Sequence, residues 1–197
     1  MNLFFDTETS NLPDWHQPSD APHQPHLLQL AFILAEEDGT EVETFSSLVV
    51  PYPGCVIGQE AFKAHGITIA KAKEQGLPGE AASERFFSAV QRAKRVIGHN
   101  VTFDIRIMRI HAARSHGFKW DCPVPYTCTM RSATNILKLP PTPKMIAAGF
   151  NKHKAPNLGE CVRHFFNEEL EGAHDALVDV RACKRVYHAI QDLKVAA

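Results

Sequence analysis

A chain of 197 residues with 44% hydrophobic content is long enough for one compact domain with a sizeable core. No stretch approaches the ~20 apolar residues of a membrane span, and the N-terminus enters a strand pattern directly, which argues against a membrane protein or a leader sequence. Five cysteines, an odd number with no C-x-x-C pair, argue against a disulfide scaffold and for reduced thiols in the cytoplasm; Cys122 and Cys128 lack zinc-finger spacing.

Asn2 to Phe5 is a short apolar run that predicts a strand near 2–6, and Asp6-Thr7-Glu8 follows at once. Continued with period two, Asp6 and Glu8 point to the same face. Side by side, two carboxylates raise each other's pKa unless a cation neutralises them. A lone D-x-E is equally what a strand end dissolving into a polar turn looks like. Residues 13 to 25 then carry four prolines and two histidines, more than a tight connection requires. Such a loop either borders a binding-site entrance or is a surface excursion. Strands near 27–36 and 42–50 complete a meander, with Asp38-Gly39 at the tight turn. Helices follow near 58–65, 68–75 and 80–93.

Val96 and Ile97 read as a buried strand, Gly98-His99-Asn100 as a turn, and Val101 to Arg114 as a helix. Phe103, Ile107 and Ile110 share the i, i+4, i+7 face that packs on a sheet. Asp104 lies beside this stripe, so its carboxylate is held near the strand end; an acid in the first turn also complements the helix dipole. A strand near 124–128 and short helices near 129–137 and 157–166 come next, the helices separated by the proline-rich stretch 138–156. The final helix begins near Asp175 and runs to about Gln191, with Ala176, Val180, Cys183, Val186, Tyr187 and Ile190 on its apolar face. His174 precedes it, behind Gly172-Ala173. Histidine titrates near neutrality, as a general base should. One histidine among 11 is a weak signal by itself. Antiparallel strands followed by strand–helix alternation describe an α/β fold, a mixed central sheet flanked by helices. The expected organisation is one domain over 1–197, with no repeat and no linker.

The net charge of −1 hides a strong asymmetry. Residues 1–84 hold 3 Lys/Arg against 13 Asp/Glu, residues 85–163 hold 14 against 3, and residues 164–197 hold 4 against 6. A basic middle third predicts an electropositive face for a phosphate backbone. Its best contact region is 138–156, with Lys138, Lys144, Lys152 and Lys154.

Taken together and in order, three segments resemble the DEDDh 3'–5' exonuclease family of the ribonuclease H-like superfamily. They are D-x-E at 6–8, N-x-x-F-D at 100–104 and H-x-A-x-x-D at 174–179, and the likeness runs from residue 3 to about 183. Histidine five residues before the last aspartate marks the histidine branch; the tyrosine branch would have Tyr where Asp175 stands. DTETSNLP is similar to the D-x-E-x-T-G-L-P of animal three-prime repair exonucleases. FKAHGIT at 62–68 resembles the H-G-I segment of many members, proofreading subunits included. Asn11 stands where the family often has glycine, and asparagine tolerates the left-handed backbone better than most residues.

The resemblance implies a metal-dependent hydrolase acting in proofreading or DNA repair. Asp6, Glu8 and Asp179 would hold one divalent ion, Asp6 would bridge to a second, and Asp104 would help through water. Oxygen ligands without cysteine suit Mg²⁺ or Mn²⁺. His174 would take a proton from the attacking water, releasing a nucleoside 5'-monophosphate. Leu12 and Ile67 would flank the terminal base, Leu12 as a wedge, and Asn100 and Phe103 would line the site. Thr7, Thr9, His65, Lys152 and Lys154 complete the substrate-binding set.

The expected partner is the 3' end of single-stranded DNA, with no membrane; a homodimer and a polymerase partner are both compatible. Two alternatives stand beside it. One is an exoribonuclease of the same chemistry, distinguished by contacts to the 2'-hydroxyl. The other is a catalytically silent nucleic-acid-binding module on the same fold, which five intact positions disfavour.

Overall fold

The computed structural model describes residues 1–195. Five strands, β1 (Asn2–Thr9), β2 (Leu27–Ala35), β3 (Glu41–Leu48), β4 (Arg95–Gly98) and β5 (Tyr126–Cys128), form one sheet in the order β3-β2-β1-β4-β5. β1 pairs antiparallel with β2 and parallel with β4; β3 joins β2 antiparallel and β5 joins β4 parallel. The fold is therefore α/β with a mixed sheet, as the element pattern predicts. Around it lie α1 (Gln59–His65), α2 (Ile69–Gln75), α3 (Gly79–Arg92), α4 (Val101–His116), α5 (Thr129–Leu137), α6 (Pro143–Ala147), α7 (Leu158–Phe166) and α8 (Ala176–Val195).

β2 reads LLQLAFILA and is buried along its whole length, because helices cover both faces of the sheet beside it. Alternation along β1 then decides what each face receives. Leu3 and Phe5 pack with Phe32, Phe86 and Ile107 beneath α3 and α4. Phe4, Ala31 and Ile33 pack with Val180, Cys183 and Tyr187 beneath α8. The rings of Phe5 and Phe86 lie 4.8 Å apart and those of Phe4 and Tyr187 5.5 Å apart. Each buried phenylalanine contributes about 1.5–3 kcal/mol through the water it excludes.

Two elements differ from the sequence expectation. β1 runs to Thr9, not to residue 6, because Thr7 and Glu8 keep their partners Leu30 and Gln29 on β2. The acidic pair therefore sits inside the sheet. Within 138–156 there is a short helix, α6, started by Thr142, whose side chain accepts from the Met145 N–H, with Pro143 in the first turn. A Thr-Pro pair is a helix start signal, hidden here among prolines that read as extended chain. No helix among the described residues is long and apolar enough to cross a membrane.

Candidate active site

The alternation that buries Phe4 under α8 sends Asp6 and Glu8 to that same face, where the first turn of α8 presents Asp179. Thr7 has the opposite parity and meets α4. Its backbone N–H and its hydroxyl both donate to Asp104 Oδ1, at 3.1 and 2.8 Å. One strand end thus gathers carboxylates from both sides of the sheet. Asp104 is nearly inaccessible, at 2% exposure. Asn100, just before α4, adopts a left-handed backbone (φ 69°) that turns the chain from β4 into the helix.

Crowding and burial act on these acids in one direction. Glu8 is pushed up to about 8, mainly by burial and then by the charges of Asp179, Asp104 and Asp175. Asp104 rises to about 7 because burial outweighs the two Thr7 hydrogen bonds that pull it down. Asp6 is held well above the carboxylate range by burial, then by Asp104 and Glu8. Asp179 is raised too, again chiefly by burial. Its Oδ2 accepts from the His174 backbone N–H at 3.1 Å, while its Oδ1 is buried without a hydrogen-bond partner. An orphaned carboxylate oxygen among four crowded acids fits a hard divalent cation, which would supply the missing counter-charge. Ligand atoms of Glu8, Asp179 and His174 all lie within 4.8 Å of one another.

His174 is exposed and has a left-handed backbone (φ 67°). The segment is pinned by Gln29 on β2, opposite Glu8 in the pairing. Gln29 Nε2 donates to Asp175 Oδ2 at 3.1 Å, and Gln29 Oε1 accepts from the Ala176 N–H at 3.2 Å. A cavity of about 490 Å³ opens in front of these groups. Asp6, Glu8, Asp104, Asp179 and His174 line it, and Leu12 and Phe103 stand on its walls. Leu12 is 77% exposed at the mouth of this cavity. The four carboxylates and the His174 imidazole thus face a single open cavity.

Residues 3–187 match the RNase_T family, described as an exonuclease family. The chain belongs to that family. No curated protein matches the chain in sequence. Its fold is that of E. coli exonuclease I. A complex of that enzyme with a 5cy-dA13 oligonucleotide matches with a TM-score of 0.69 at 18% identity, over 97% of this chain and 40% of the other. A zinc-bound complex of the E. coli enzyme with single-stranded DNA gives 0.72 at 20%, over 97% and 40%. A product-bound exonuclease I gives 0.71 at 19%, over 97% and 43%. The exonuclease described here thus spans less than half the length of these proteins.

The structure brings Asp6, Thr7, Glu8, Thr9, Leu12, His65, Phe103, Asp104, His174 and Asp179 to one cavity. Four other expected residues lie elsewhere. Ile67 is buried against Leu28 and Ala72 and borders a neighbouring cavity of about 370 Å³. Asn100 serves the turn and does not line the catalytic cavity. Lys154 is ion-paired with Glu160 at the start of α7, inside the Asn157–Glu160 capping box, and Lys152 alone of that pair is exposed and without an ion pair among the described residues. His65 lines both cavities but is spent on structure. Its Nδ1 accepts from the Ile67 N–H at 2.9 Å, so the proton sits on Nε2, which donates to the Thr9 carbonyl at 3.1 Å. Sequence reasoning missed two residues. Gln29 gave no signal in an apolar strand. His99 lines the cavity with its nitrogens bonded to Thr129 Oγ1 and the Pro156 carbonyl, both at 3.0 Å, contacts made only by the folded chain.

Proposed function

We propose that this exonuclease removes nucleoside 5'-monophosphates one at a time from the 3' end of single-stranded DNA, using two divalent ions, Mg²⁺ or Mn²⁺. The observation that carries it is the convergence of four acids with raised pKa and one exposed histidine on a single open cavity. When bound, the ions stabilise the attacking and leaving oxygens of an in-line displacement at phosphorus. Asp6, Glu8, Asp179 and Asp104 would hold them, with Asp104 fixed in place by Thr7. An imidazole nitrogen of His174 accepts the proton of the attacking water. Leu12 and Phe103, both lining the cavity, contact the terminal base. The single-stranded DNA in the E. coli exonuclease I complexes supports this substrate class. The five unpaired cysteines fit a reducing, cytoplasmic setting.

Digestion of end-labelled single-stranded DNA, duplex DNA and RNA with Mg²⁺, Mn²⁺ or EDTA tests the reading. Single-stranded DNA is shortened fastest, stepwise from its 3' end, and EDTA stops the reaction; activity surviving in EDTA refutes the proposal, and faster loss of RNA moves it to the exoribonuclease alternative. His174→Ala separates base from ligand: turnover falls by about 10²–10⁴-fold while metal affinity, read by calorimetry, stays close to that of the unaltered chain. A loss of affinity matching that of Asp179→Ala makes His174 a ligand instead.

The basic stretch before α7 contributes to backbone binding. Neutralising Lys152 and Lys154 together weakens single-strand binding and reduces its salt slope by about 0.7 for each phosphate that is no longer neutralised. Most of that reduction belongs to Lys152, since Lys154 is engaged by Glu160. An unchanged slope in the double variant removes the stretch from the interface.

A further inference from the structure

The loop joining β1 to β2 supplies Asn11 and Leu12 to the catalytic cavity. Its more distant part lines another cavity of about 510 Å³. Both cavities are walled by the same two elements. The loop offers Leu12 to the first and Ser19 to the second; α4 offers Phe103 to the first, and Arg106 and Arg109 to the second. Between them Arg106 ties loop to helix, with Nη2 donating to the Asp14 carbonyl at 3.2 Å and to the Gln17 carbonyl, and Nη1 to Ser19 Oγ at 2.8 Å. Its Nε is buried without a partner, and among the described residues Arg106 has no ion pair. The tie holds in register the two elements that wall both cavities.

The chemistry of the second cavity suits a nucleotide. Arg106, Arg109 and Lys119 line it against one wall carboxylate, Asp20. Arg109 is paired with Asp121, while Lys119 has no ion pair among the described residues. Phe118 and Trp120 complete the lining, with ring centroids 6.0 and 5.5 Å from that of Phe87. Phe118 is thereby held in place and still 44% exposed. An uncommitted cation such as Lys119 beside a supported, exposed ring forms the usual platform for single strands, the cation for a phosphate and the ring for a base.

We infer that this cavity is an upstream subsite for the single-stranded nucleic acid whose 3' end lies in the catalytic cavity. This rests on the exonuclease reading of the first cavity. A phosphate meets Lys119, and a base stacks on Phe118. From Asp104 to Gly117, where the cavity ends, α4 rises ~20 Å. At the ~3.4 Å spacing of a stacked strand that is about six nucleotides, and fewer for an extended one. The proline-rich loop is then the outer wall of a strand track, which explains its length.

Fluorescence anisotropy in EDTA with 5'-labelled thymidine oligonucleotides four and twelve nucleotides long tests the subsite without turnover. The unaltered chain binds the longer strand about tenfold more tightly, the worth of one stacked base and one phosphate. In the double variant Phe118→Ala, Lys119→Ala this ratio falls to about two, and Lys119→Ala alone lowers the salt slope by about 0.7. A ratio undiminished in the double variant overturns the subsite, and so does an unaltered chain that binds both lengths equally. Should the double variant not fold, photocrosslinking of the unaltered chain decides. 5-Iododeoxyuridine four to six nucleotides from the 3' end labels the peptide holding Phe118 and Trp120, and labelling elsewhere overturns the proposal. Hydrolysis of the longer strand by the unaltered chain with Mg²⁺ reports on the exonuclease reading alone. Its failure with length-dependent binding intact sinks that reading and keeps the track.

Discussion

Asp6→Ala abolishes hydrolysis and, in the metal-free protein at alkaline pH, raises the melting temperature. The two effects share one cause. Asp6 stands where the charges of Glu8, Asp104 and Asp179 all bear on it, and burial denies it the solvent that would screen them. That is the geometry for sharing cations and an unfavourable place for an anion without them. Losing it costs at least about 10³-fold in turnover, ~4 kcal/mol of barrier, on the scale of other preorganised charge-stabilising groups. Without metal, and at alkaline pH where the acids of the site are ionised, the same substitution removes a repulsive centre and lets Glu8 and Asp104 ionise more easily. Digestion of end-labelled strands and thermal unfolding in EDTA at alkaline pH, on one preparation, read both. A lower melting temperature in EDTA would mean that contacts made by Asp6 outweigh repulsion, and the crowded-acid account of the site would fail.

What the sequence carries is local and periodic. Phe4, Asp6 and Glu8 share a face by strand alternation, and that parity alone puts the D-x-E pair opposite α8 and Asp179. The position of Asp104 one turn into a helix after a buried strand is equally readable, as are the strand–helix order and the apolar face of α8. Contacts that span the chain are not. Thr7 and Asp104 are 97 residues apart, and the Gln29 brace on Asp175 spans 146. No period records them. Ile67 and Asn100 carry the right motifs, yet their side chains lie away from the catalytic cavity, because a motif fixes a backbone path as often as it fixes a contact. Asn100 shows this through its left-handed turn, and Ile67 through the His65 hydrogen bonds that fold H-G-I back onto β1. The basic middle third is legible as charge, but pairing decides what that charge can do. Lys154, Arg163 and Arg109 are tied to Glu160, Glu169 and Asp121, whereas Lys152, Arg106 and Lys119 are left without ion pairs among the described residues.

Metal-free, the exonuclease has a broad plateau of stability between about pH 4.5 and about pH 6.5, where carboxylates and histidines offset each other, and divalent metal lifts only the alkaline side of that profile. Glu8 and Asp104 have ordinary values of 4.5 and 3.8 and are raised to about 8 and about 7 in the folded chain. Between those limits the folded state keeps protons that the unfolded state has released. Their stabilising contribution is therefore complete below about pH 4 and lost as pH rises to about 8. Two buried histidines act oppositely. His26 and His111, each depressed by burial from 6.5 to about 4, stay neutral in the fold while the unfolded chain protonates, so stability is lost as pH falls through that range. Above about pH 6.5 the carboxylates act unopposed, and the decline amounts to a few kcal/mol, roughly 5–10 °C in melting temperature. Mg²⁺ binds the ionised acids of the fold and not the open chain, so its stabilisation grows from about pH 6 to about pH 8.5 and leaves the histidine-governed acid side unchanged. Thermal melts across pH with Mg²⁺ or EDTA separate the two sides. Equal stabilisation by Mg²⁺ at both ends would place the ion away from Glu8 and Asp104. In Asp6→Ala the Mg²⁺ increment at alkaline pH should all but vanish, because an acid that holds the ions is gone.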